Sequence, residues 1–227
     1  LGHAHPEVAH ALCEQSKQLI HTSNLYRVAN QQKLADELIR LSGMDRVFFG
    51  NSGAEANEAA IKIARKTGSN RGIENPEILV MENSFHGRTM ATLTATGNKK
   101  VQEGFYPLVQ GFVRVPYDDV EAVKQKIADH PNLVAILVEP VQGEGGVHVP
   151  KSGYLKTLRE LCDQHNLLLM VDEIQTGIGR TGQWFAFQHE GILPDVVTLA
   201  KALGNGVPIG ACMAHGQAAE VFGPGNH

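Results

Sequence analysis

Apolar residues recur at helical spacing from Pro6 to Ile20 (Val8, Leu12, Leu19, Ile20) and from Asn30 to Leu41 (Leu34, Leu38, Leu41), which predicts two amphipathic helices. Short apolar runs then alternate with helical stretches. The pattern predicts a strand over Arg46 to Phe49, a helix over Ala54 to Lys66 and a strand over Ile78 to Met81, with Gly68 suited to cap the helix. It continues with a helix over Asp118 to Asp129, a strand over Leu133 to Val138, a helix over Ser152 to His165, and strands over Leu167 to Val171 and Val196 to Leu199. No repeat period or linker interrupts it.

The runs Leu133 to Val138 and Leu167 to Val171 are apolar at every position rather than at every second one. Such strands are covered on both faces, as in a parallel sheet flanked by helices. The expected fold class is therefore α/β, a three-layer α/β/α sandwich. Ligands of such sheets sit beyond the carboxyl ends of the strands, so polar residues there are the first candidates for chemistry.

Composition and charge narrow the partners more than the fold. The 227 residues can bury one large core, and a net charge of −4 with no basic stripe argues against nucleic acid or an anionic membrane. Three cysteines without a CxxC pair (Cys13, Cys162, Cys212) suit free thiols in a reducing compartment, so a cytoplasmic location is expected. No apolar run approaches the ~20 residues of a membrane helix. The chain opens at Leu1 and closes at His227 without the marks of natural ends, so both read as cuts in a longer protein that leave the active site incomplete.

Four strand ends carry unusual polar groups: Asn51-Ser52-Gly53-Ala54, Ser84-Phe85-His86-Gly87-Arg88, Glu139-Pro140, and Asp172-Glu173-Ile174-Gln175. At Asn51 to Ala54 a strand passes through small residues into a helix, whose free N–H groups and positive dipole end suit a phosphate, although Ser or Asn there is also an ordinary N-cap. Asp172 closes a very apolar strand and reads as a helix cap or as the partner of a buried cation. Lys201 follows the apolar run Asp195 to Ala200. It is either a surface lysine or a partly desolvated amine available as a nucleophile toward an aldehyde. Phosphate site, carboxylate and lysine together point to pyridoxal phosphate, which has an ester phosphate to anchor, an aldehyde for a lysine Schiff base and a ring nitrogen to be kept protonated. Phe85 reads either as a core residue or as a face for that ring.

Gly177-Ile178-Gly179-Arg180-Thr181-Gly182 matches the GxGxxG fingerprint of dinucleotide sites, which makes an NAD-dependent oxidoreductase the rival reading. Five residues separate it from its strand and Gln183-Trp184-Phe185 does not start a helix, so the glycines read better as a loop. His3, His5 and His10 form no metal-ligand pattern, and no metal is expected.

The stretches LGHAHPEV, FFGNSGAEANEAAIKIARK, NSFHGRT, VEPVQGEGG, VDEIQTGIGRTG and LAKALGNGVPIGA occur in an order and spacing that resembles the class III, fold type I pyridoxal-phosphate aminotransferases along essentially the whole chain. The resemblance implies a mostly parallel mixed sheet, residues 1–30 leading into a cofactor-binding large domain over 31–227, and a C-terminal small domain outside this chain. It implies that Gly53 and Ala54 bind the cofactor phosphate, Phe85 stacks on the ring, Asp172 pairs with the ring nitrogen, Gln175 approaches the phenolic oxygen and Lys201 forms the Schiff base. Glu173 and Ile174 are expected at the cofactor with them. Arg88 would receive a substrate carboxylate, and Glu144 would pair with a second arginine absent from this chain.

The implied reaction is ping-pong transfer of the terminal amino group of N-acetylornithine to 2-oxoglutarate, giving glutamate, in arginine biosynthesis; succinylornithine, ornithine and 4-aminobutyrate are the alternative donors. A homodimer with its active site at the subunit interface is expected on the same ground.

Overall fold

The computed structural model describes every residue except Leu1, Asn24, Pro224 and Asn226. The elements in order are α1 (Pro6–Ser16), α2 (Ala29–Ser42), β1 (Arg46–Gly50), α3 (Gly53–Asn70), β2 (Glu77–Met81), α4 (Met90–Ala95), α5 (Lys99–Gln102), β3 (Phe112–Val115), α6 (Val120–Asp129), β4 (Leu133–Val138), α7 (Tyr154–His165), β5 (Leu168–Asp172), β6 (Val196–Leu199) and β7 (Gly210–Ala214). Short 3-10 turns lie at Ala186–Glu190, Lys201–Leu203 and Gly216–Glu220.

One seven-stranded sheet has the order β1-β7-β6-β5-β4-β2-β3. Strands β2 to β6 pair in parallel, whereas β7 is antiparallel to both β6 and β1. The mixed, mostly parallel α/β sandwich is thus the fold expected. Every residue of β4 and β5 is buried, as their unbroken apolar runs require.

Alternation along the strands decides which side each residue faces. Ala135, Leu137, Leu168, Met170 and Val196 pack against Ala59, Ala60, Ile63 and Ala64 of α3. Ile136, Val138, Leu169 and Val171 pack on the other face with Leu155, Leu158 and Leu161 of α7. Asp172 and Thr198, each two residues beyond a residue of the first set, therefore turn toward α3, and they are register partners across β5 and β6.

Two local expectations are corrected. Gly68 is not a helix cap. It lies inside α3, which runs to Asn70, and a Cβ there would come within 2.5 Å of Pro76 Cβ, so glycine serves close packing of the helix end. The first helix stops at Ser16, not Ile20: none of its residues is buried, so no packing extends it through Leu19 and Ile20. Strands β3 and β7 and the short α4 and α5 have no counterpart in the hydrophobic pattern, since four to six residues carry little periodic signal. Among the described residues no helix is long and apolar enough to cross a membrane.

Candidate active site

Strand β1 points the same way as β6, because both are antiparallel to β7. The carboxyl ends of β1, β2, β4, β5 and β6 therefore share one edge of the sheet, and a cavity of about 440 Å³ opens there. Gly53, Ala54, Phe85, Arg88, Glu139 and Asp172 line it, together with Ile174, Gln175 and Lys201. A larger hollow of about 730 Å³ lies at the opposite edge, where Arg65, Glu77 and Asn132 gather, but it holds none of the expected functional groups.

One end of the cavity is the start of α3. Ser52 caps the helix, its Oγ accepting from Glu55 N–H at 3.2 Å, and Ala56 N–H donates to the Ser52 carbonyl at 3.1 Å. The Glu55 carboxylate turns away to accept from Asn51 N–H. The N–H groups of Gly53 and Ala54, in the first turn, remain for a ligand at the positive end of an 18-residue helix. The loop is held closely: a Cβ at Gly210 of β7 would come within 2.1 Å of Ser52 O.

Asp172 is buried on the far wall, and donors surround it. Its Oδ2 accepts from Asn57 Nδ2 at 2.8 Å and faces His86 Nδ1 at 2.7 Å; its Oδ1 accepts from Ile174 N–H at 3.1 Å. Because a carboxylate only accepts, His86 carries its proton on Nδ1. Burial alone pulls His86 toward the neutral form, but the hydrogen bond and charge of Asp172, joined by the charge of Glu139, raise it above the ordinary histidine value. Its Nε2 is buried without a partner. Sequence reasoning found Asp172 and assigned no role to His86, Asn57 or Thr198.

Glu139 links two loops of the site. Its Oε2 accepts from Phe85 N–H at 3.0 Å, the carboxylate also accepts from the backbone of Gly143, and Tyr117 Oη donates to the carbonyls of Glu139 and Pro140 at 3.0 Å each. A Cβ on Gly143 would strike the Gln175 carboxamide at 2.5 Å, so the Glu139 clamp also bears on Gln175. Burial pushes the Glu139 carboxyl up to about 7 from 4.5, opposed by the His86 charge and aided by that of Asp172.

The folded protein thus holds a proton on Glu139 between pH 4.5 and about 7 that the unfolded chain has released, so this residue makes stability fall as pH rises through that window. Glu139→Gln removes the titration. Denaturant melts at several pH values should show the variant gaining on the wild type as pH rises across the window, and a difference constant with pH would overturn the assignment.

Lys201 lines the cavity as expected but is not the partly desolvated amine read from its strand: it is exposed. Strand β6 ends at Leu199, Ala200 leaves the ladder, and Lys201 opens a 3-10 turn at φ +43°, a left-handed conformation rare for a side-chain-bearing residue and costly by ~1 kcal/mol or more. Arg88 is exposed at the mouth, its guanidinium carbon 5.6 Å from the Phe85 ring centroid.

Two expected site residues stand outside the cavity lining. Glu173 is buried on the other side of its strand end, where its carboxylate accepts from Phe187 N–H at 2.9 Å and from the Thr176 hydroxyl and so anchors the turn at Ala186–Glu190. The opposite orientation to Asp172 follows from strand alternation. Glu144 is exposed on a loop closed by the Gln142–His148 bridge. The Gly177 to Gly182 stretch forms turns, with Ile178, Gly179 and Gly182 at positive φ, and leads into no α-helix, as expected for a loop.

The family model described as Aminotransferase class-III matches residues 1–227. The acetylornithine aminotransferase of Nitrosomonas europaea is 64% identical over 227 residues, covering 100% of this chain and 58% of the relative; that of Methanocaldococcus jannaschii is 55% identical over 228 residues, covering 100% and 57%. The chain thus spans little more than half the length of these relatives. Among solved structures, the ornithine aminotransferase of Toxoplasma gondii superposes with a TM-score of 0.95 at 40% identity, covering 100% of this chain and 54% of that one. The N-acetylornithine aminotransferase of Stenotrophomonas maltophilia gives 0.83 at 44% identity, covering 98% and 56%. With the family model matching residues 1–227, the chain belongs to the class III aminotransferases.

Proposed function

We propose that the cavity takes pyridoxal 5'-phosphate and that the full-length protein transfers the terminal amino group of N-acetylornithine to 2-oxoglutarate. The observation that carries this reading is the meeting, in one cavity, of the Gly53 and Ala54 amides, the donor-ringed Asp172 carboxylate and the accessible Lys201 amine. These groups fit the cofactor: two free amides and a helix dipole match a phosphate, and a carboxylate supplied with donors retains acceptor capacity for a ring N–H. Phe85 and Ile174 supply apolar walls for a ring, and Gln175 supplies a carboxamide for its phenolic oxygen.

When bound, the cofactor supplies an aldehyde to receive the amino group and a ring that withdraws an electron pair. Lys201 Nζ would serve first as nucleophile toward that aldehyde and then as the base that carries the proton from the amine-bearing carbon of the donor to the cofactor's aldehyde carbon; in the second half-reaction it would carry a proton the other way, to the 2-oxoacid carbon that receives the amino group. Arg88, at the mouth, presents a planar pair of donors to a substrate carboxylate.

N-acetylornithine as donor is supported by the names of relatives at 64% and 55% identity. Ornithine is the second reading, favoured by the TM-score of 0.95 to an ornithine aminotransferase, with succinylornithine and 4-aminobutyrate as further alternatives. Residues 31–227 would form the cofactor domain, entered through 1–30. A homodimer is supported by the exposure of Ile20 (86%), Leu25 (89%) and Tyr26 (69%) in that entering segment, and sedimentation showing an active monomer would refute it. The free thiols Cys13, Cys162 and Cys212 suit the cytoplasm, within arginine biosynthesis.

An absorbance spectrum of the full-length protein with pyridoxal phosphate tests the reading. A yellow band that bleaches on adding N-acetylornithine without any 2-oxoacid is expected. Bleaching only by ornithine, succinylornithine or 4-aminobutyrate would move the substrate, and absence of the band would overturn the cofactor.

A further inference from the structure

We propose that the Thr198 hydroxyl, acting through the Asn57 carboxamide, holds Asp172 as an acceptor toward the cavity, which makes Thr198 and Asn57 positioning residues of this site. The proposal rests on the cofactor reading above.

The Asn57 side chain is fully buried on the α3 face of β5 and β6. One of its terminal atoms meets two acceptors, Asp172 Oδ2 and the His86 carbonyl, each at 2.8 Å. Only the NH2 group can stand there, and both its protons are used. The other terminal atom is then the amide oxygen, and it lies 2.8 Å from Thr198 Oγ1, which must donate its proton. The two acceptors set the sense of the amide, the Thr198 hydroxyl holds its oxygen, and the amide in turn engages Oδ2 of Asp172.

The consequence falls on Asp172. Its Oδ2 takes donors from both Asn57 and His86, while its Oδ1 takes only Ile174 N–H and keeps acceptor capacity on the side of the cavity that Asp172 lines. If the amide rotated, its oxygen would face the carboxylate and the carboxylate would have to turn or take a proton. The His86 carbonyl opposes that rotation, and Thr198 adds to the opposition by donating to the amide oxygen. Thr198 can do so because it is the register partner of Asp172 on β6, one strand away under the same helix, and is buried, so no water substitutes for it.

Two nearly isosteric exchanges separate this role from packing. Thr198→Val keeps the shape and removes the donor; Thr198→Ser keeps the donor and removes a methyl. In the full-length protein, titrating apo enzyme with pyridoxal phosphate should show Thr198→Val binding about tenfold more weakly, the size of one lost buried hydrogen bond. It should also show an altered visible circular dichroism of the bound cofactor and a lowered kcat at an unchanged KM for 2-oxoglutarate. Thr198→Ser should stay within about twofold of the wild type on each readout. Asn57→Asp, which turns the donor toward Asp172 into an acceptor, should lose at least as much as Thr198→Val, with thermal melts confirming that each variant folds. The reverse order, Ser impaired and Val normal, would mean packing and would overturn the proposal, as would a normal Val variant. A wild type that binds no pyridoxal phosphate would overturn the cofactor reading and this inference with it.

Discussion

Replacing Lys201 by Ala should abolish the yellow band with pyridoxal phosphate and lower turnover by at least about a thousandfold, the scale of loss when a covalent nucleophile is deleted. Borohydride treatment should leave cofactor mass on the wild-type chain and none on the variant. The fold should not suffer. Lys201 is exposed, and substitutions of exposed residues shift stability by no more than ~0.5 kcal/mol as a rule. Phosphate anchoring at Gly53 and Ala54 is untouched, so the variant should still take up the cofactor non-covalently. Turnover surviving at the wild-type rate would sink the assignment of Lys201.

Asp172→Ala should behave differently, because it damages both site and scaffold. Asn57 Nδ2, His86 Nδ1 and Ile174 N–H all lose an acceptor in a buried place, at ~1 to 3 kcal/mol for each group left unpaired. A loss of ~3 kcal/mol or more in unfolding free energy is therefore expected in the apo protein, where the cofactor plays no part. With the cofactor added, some binding should persist through the phosphate site, while turnover falls by about a hundredfold or more for want of the acceptor at the ring nitrogen. Apo stability equal to the wild type would show that the donors find other partners. Wild-type turnover would overturn the role given to Asp172.

These two residues were legible because each breaks a strong local pattern. A carboxylate ending Leu168–Val171 and a lysine just past Val196–Leu199 stand out against apolar runs, and in a parallel sheet the ends of such runs converge. Gly53 and Ala54 were legible for a similar reason, since the passage from strand to helix through small residues announces free amides. Asn57 gave no such signal. It sits in an alanine-rich helix, 115 residues from Asp172 and 141 from Thr198, and only the packing of α3 across β5 and β6 brings the three together.

Side-chain direction was the other thing hidden. Asp172 and Glu173 are adjacent carboxylates, yet one lines the cavity and the other anchors a turn on the opposite side, because neighbouring positions of a strand face opposite ways and the covering helix decides which face holds the site. Lys201 read either as a surface lysine or as a partly desolvated amine at the end of a buried strand. The chain leaves the ladder at Ala200 and turns left-handed at Lys201, which puts the amine in the open cavity. Local order along the chain carries the alternation of strands and helices and the polar residues that end them, since burial imposes a period on each element separately. Which polar groups face one another is a matter of register and helix placement, set by contacts between elements far apart in the chain, and it is visible only once the sheet is assembled.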